Sequence, residues 1–89
     1  MILPENLKDK DPRAMSVIER VIYYSCEAHS NFELATKCLE PELIVQAQQQ
    51  LFEMLLVLQK VSRVVEDPEQ QSILQELEKI LKQDYSHFE

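Results

Sequence analysis

The 89-residue chain has no glycine and no tryptophan. Average glycine usage is about 7%, so its complete absence excludes every chemistry that needs a bare backbone. There is no phosphate-cradling loop, dinucleotide-binding turn, nucleophile elbow or EF-hand glycine. Hairpins built on Asn-Gly or Gly-X turns are excluded as well.

Basic residues are scarce. Nine Lys and Arg stand against sixteen Asp and Glu, for a net charge of −7. A nucleic-acid binder needs a concentrated basic face to displace counterions. Arg13 with Arg20 and Lys60 with Arg63 make two small pairs instead, so no direct nucleic-acid contact is expected. The longest apolar run, Met54 to Leu58, falls far short of the ~20 residues that span a bilayer. The opening Met1-Ile-Leu-Pro-Glu-Asn6 lacks the basic and apolar regions of a signal peptide. With only two cysteines, Cys26 and Cys38, the expectation is a cytoplasmic protein with free thiols and no membrane association.

The chain does contain a heptad seam. Ile44, Ala47, Leu51, Met54, Leu58, Val61 and Val65 are spaced alternately three and four residues apart, which an α-helix gathers into one narrow stripe. The middle is more apolar than a seam requires, since in Leu51-Phe-Glu-Met-Leu-Leu-Val-Leu58 only Glu53 is polar. A helix apolar nearly all round is either enclosed or has a partner.

Asp11-Pro12, Glu40-Pro41 and Asp67-Pro68 read as helix starts. Proline suits the first turn, where its missing N–H would be unpaired, and aspartate before it can cap the free amides. Glu40 is the poorest cap of the three. Residues 12–29 are predicted as a first helix and 41–66 as the seam helix. The last helix is expected over 68–83, burying Ile73, Leu74, Leu77, Ile80 and Leu81. A short extra helix is expected over 31–39, with a kinked continuation of the first helix as the other way to form it. The predicted fold is all-α: a small antiparallel three-helix bundle with this extra helix between the first two long ones. Residues 1–10 are expected to be a flexible arm, and 11–89 a single domain.

Chemistry-bearing sets are weak. Cys26 and His29 lie three residues apart, with Cys38 and His87 more distant, a spacing unlike that of zinc sites. Buried cysteine commonly acts as a small hydrophobe. Catalysis by a Cys–His pair would need an orienting group and oxyanion donors around a cleft, for which a small apolar bundle has little room. No catalytic residue, metal ligand or cofactor site is expected, and the protein reads as non-enzymatic.

Binding surfaces are better candidates. With the seam turned inward, Val45, Phe52 and Leu56 form a second stripe about a third of a turn away, while Val57 and Val64 lie on the other flank. The seam helix therefore presents docking anchors for another helix, unless Phe32 and Leu39 fold back over them. Tyr23, Tyr85 and Phe88 are lesser candidates. Glu66, Asp67, Glu69, Glu76 and Glu78 form an acidic stretch that would select a basic partner surface. The expected function is docking of another protein or a second copy along 41–66, as a small adaptor, regulator, inhibitor or chaperone-like subunit. The alternative is an acidic mimic of nucleic acid that occupies the site of a DNA- or RNA-binding protein.

Overall fold

A computed structural model describes residues 10–88. The arm expected over 1–10 lies outside these residues except for Lys10, which pairs with Glu19 at 3.1 Å. Among the described residues there are three α-helices and one short 3-10 turn, and no strand. The helices are α1 (Val17–Cys38), α2 (Pro41–Val64) and α3 (Pro68–Ser86). Each packs on the other two, and short corners make neighbouring helices antiparallel.

Two starts follow the acidic-proline reading. Asp67 accepts from the Gln70 amide at the head of α3. Glu40 makes no side-chain cap for α2, as its longer side chain suggests. The first start differs. Pro12–Ala14 makes only the 3-10 turn, with the Asp11 carboxylate accepting from the Arg13 amide. The α-helix begins after Ser16, whose hydroxyl accepts from the Glu19 amide while the Glu19 carboxylate accepts from the Ser16 amide. This reciprocal box satisfies two amides that would otherwise lack partners, and it outcompetes the proline upstream.

The separate helix expected over 31–39 is not present, because α1 runs unbroken to Cys38. Neither proline nor glycine lies between Val17 and Cys38, and Ser or Asn in a helix interior costs only a few tenths of a kcal/mol. Polar side chains near Ser30 bond along or across this continuous helix. Glu33 reaches back to His29 at 3.0 Å, and Asn31 donates to Gln50 of α2 at 3.0 Å. The helix ends where Pro41 forces Glu40 into extended backbone (φ −87°, ψ 123°). Leu39 makes the turn in the left-handed region at φ 57°, a conformation that normally falls to glycine; a glycine-free chain has none to offer.

The core takes its centre from the seam of α2 and the leucines expected on α3, while Ile73 and Ile80, also expected there, are only partly buried. Leu51 and Leu58 of α2, Leu74, Leu77 and Leu81 of α3, and Val21, Ile22 and Ala28 of α1 are buried, together with Met15. Ala47 is buried, and Met54, Val61 and Val65 are partly buried against this cluster, so the seam faces inward along its length. Ser25, fully buried, donates to the Val21 carbonyl at 2.7 Å, and among the described residues no buried side-chain polar atom lacks a partner.

Candidate interaction surface

Helix geometry divides the five anchor residues between two surfaces. At about 100° per residue, Val45, Phe52 and Leu56 fall within ~40° of one another on the flank of α2 nearer α3. Their exposures are 60%, 49% and 45%, large for an apolar row beside a finished core. Val57 and Val64 lie on the opposite flank, toward α1. Val64 is 74% exposed, whereas Val57 is partly buried against the core.

The Asn31–Gln50 bond marks the antiparallel register of α1 against α2. Two turns along each helix, ~10 Å, bring Tyr24 level with Val57, and four turns bring Val17 level with Val64. Tyr24 and Val17 are exposed, so the α1 side carries an apolar row of its own. Leu34 and Leu39 add exposed apolar surface near the α1–α2 corner.

Phe32 and Leu39 do not cover the Val45–Leu56 stripe. Leu39 points to solvent. Phe32 instead meets His87 and Phe88 at ring-centroid distances of 5.6 and 5.7 Å. Phe88 lies 6.3 Å from Tyr85, which in turn lies 6.0 Å from Phe52. This chain of rings closes the bundle where α3 ends and braces one edge of Phe52. Tyr23, paired edge-to-face with Tyr24 at 5.3 Å, belongs to the other side.

The acidic residues are dispersed. Glu66, Asp67 and Glu69 are exposed around the α2–α3 corner. Glu76 lies two turns from Glu69 on the same face of α3, while Glu78 points the opposite way. Glu78 is partly buried and pairs with Lys82 at 3.7 Å, beside Gln59 and Arg63.

One polar constellation crosses the core. His29 Nδ1 lies 2.5 Å from Asp84 Oδ2, and His29 Nε2 lies 3.0 Å from Glu33 Oε1. Both ring nitrogens face carboxyl groups, so the imidazole bridges Glu33 of its own helix and Asp84 of α3. Asp84 is buried on the core face of α3, one turn beyond Leu81. Its position was readable: Leu77, Leu81 and Asp84 continue a seam spacing, and His29 is a polar residue in the corresponding place on α1. Among the described residues no group of three or more His, Cys, Asp and Glu is placed to hold a metal ion. Cys26 is partly buried and Cys38 exposed, both as free thiols. Burial pushes the Cys26 thiol up to about 11, so at neutral pH it is protonated and a poor nucleophile.

A cleft of about 200 Å³ between α1 and α2 is lined by Asn31, Leu34, Ala35, Leu43, Gln46, Ala47 and Gln50. It is below the ~300–1,000 Å³ of small-molecule sites. No helix among the described residues is long and apolar enough to cross a membrane. No protein-family model matches the chain, and no curated protein or solved structure matches it.

Proposed function

We propose that the protein is a non-enzymatic interaction module that docks a partner helix along α2. The observation that supports this reading is the stripe of Val45, Phe52 and Leu56, about half exposed or more on a helix whose seam has already supplied the core. Phe52, braced by Tyr85, offers a large apolar contact at little entropic cost, the usual character of an interface anchor. An adaptor, an inhibitor and a chaperone-like subunit all use such a surface. Mimicry of nucleic acid draws less support from the geometry, because the five acidic residues do not share one face and Glu78 is paired.

The test is photo-crosslinking in the native cell, with a photoreactive phenylalanine analogue replacing Leu56 or, as the control, Gln75, which is exposed on α3. A discrete protein adduct at position 56 and none at 75 supports docking along α2. Equal labelling at both positions, or no adduct at 56, overturns it.

A further inference from the structure

The outward face of α2 is polarised along its length. Glu42 lies in its first turn and Arg63 in its last, with Lys60 one turn before the end. Between them run Val45, Gln49, Phe52, Leu56 and Gln59, again alternating four and three apart. An antiparallel second copy of the same face is complementary to it. With the two-fold axis near position 54, Phe52 of each copy meets Leu56 of the other, and Gln49 meets Gln59, amide against amide. Val45 then lies under the long side chain of Arg63 of the second copy, within one turn of Glu42. Two-fold symmetry repeats every such pairing, and antiparallel alignment also sets the macrodipoles head to tail.

Resting on the docking reading above, we infer that the occupant of this stripe is a second copy of the same chain, held by two Phe52–Leu56 contacts and two Glu42–Arg63 ion pairs. From Val45 to Arg63 the face is ~27 Å long and ~10 Å wide, on the order of 300 Å² per copy. That is well below the ~800 Å² per partner of a standard interface, so the dimer is weak and concentration-dependent.

The experiment is sedimentation equilibrium of the full chain from about 10 µM to about 1 mM, the range in which so small an interface holds. The wild-type mass should rise toward twice the monomer. Leu56→Asp should remain monomeric throughout, with its helical circular dichroism intact. Arg63→Glu replaces two attractions with two like-charge repulsions and should weaken association on the order of 10-fold. Glu42→Lys combined with Arg63→Glu should restore association to within a few-fold of wild type, which simple loss of folding could not do. A wild-type chain that stays monomeric to the highest concentration overturns the inference, as does a double variant no better than Arg63→Glu. Either result leaves intact a crosslinked adduct of a different protein at position 56, so the docking reading and the self-association reading fail separately.

Discussion

Leu56 and Leu58 are two residues apart on one helix, yet their environments predict opposite responses to the same change. Leu58 is 0% exposed and Leu56 is 45% exposed. Complete burial of a leucine side chain contributes ~1.5–3 kcal/mol. Slightly over half of Leu56 is withdrawn from water, so Leu56→Asp forfeits about 1–1.5 kcal/mol, and its carboxylate turns outward without desolvation. At ~4–8 °C per kcal/mol for a domain of this size, the melting temperature drops by roughly 4–12 °C. Leu58→Asp removes a core leucine, which alone costs ~3–5 kcal/mol, and places a carboxylate where no partner exists, at several kcal/mol more. A chain of 89 residues has a total stability of only ~4–13 kcal/mol. Urea denaturation followed by far-ultraviolet circular dichroism should therefore show a cooperative, slightly weakened Leu56→Asp and a largely unfolded Leu58→Asp. Should Leu56→Asp unfold as completely as Leu58→Asp, the stripe is core, and the docking surface argued from it does not exist.

The end of α1 and the two thiols lend themselves to direct tests. Leu39→Gly should stabilise the fold by about 0.5–1 kcal/mol, the relief of a left-handed leucine (~1–2 kcal/mol) less the extra entropy of unfolded glycine; a destabilised variant in chemical denaturation would show that Leu39 earns its place by packing. Cys38 should react with a thiol reagent at neutral pH far faster than Cys26. Because the folded thiol of Cys26 is raised from 9.0 to about 11, the unfolded chain loses this proton first as pH rises. Stability relative to Cys26→Ala is therefore full below about pH 9 and declines through about 11. Parallel denaturation curves for the two proteins at all pH values would refute this.

Much of the architecture is legible from local rules. The seam of α2 needs only its spacing, and the starts of α2 and α3 need only the acidic-proline pairs. The misplaced start of α1 was also local: Ser16-Val-Ile-Glu19 has the spacing of a reciprocal cap, and it prevailed over Asp11-Pro12. Continuity through Ser30 is compatible with local rules, since no proline or glycine interrupts residues 17–38, whereas the bond from Asn31 to Gln50 joins residues distant in sequence. Exposure of the stripe is likewise a tertiary outcome. Phe32 was free in principle to lie over Phe52, and it turned away because α3 reaches far enough to bring His87 and Phe88 against it. That Val45, Phe52 and Leu56 share a face was readable; that nothing in the described chain covers them was not.

The pairing of His29 with Asp84 bears on which bundle forms at all. Apolar faces tolerate sliding, since a leucine finds much the same welcome one turn higher, and three helices can wind around one another in either sense. A carboxylate in the core does not share that tolerance. Move α3 by one turn, or exchange the sides on which it meets α1 and α2, and Asp84 loses its imidazole, a penalty that reaches about 3–5 kcal/mol wherever the carboxylate is kept from water. This is a sizeable share of all the stability a chain this short commands. The polar layer thus acts as an index mark on otherwise interchangeable surfaces, selecting one alignment by making its neighbours untenable.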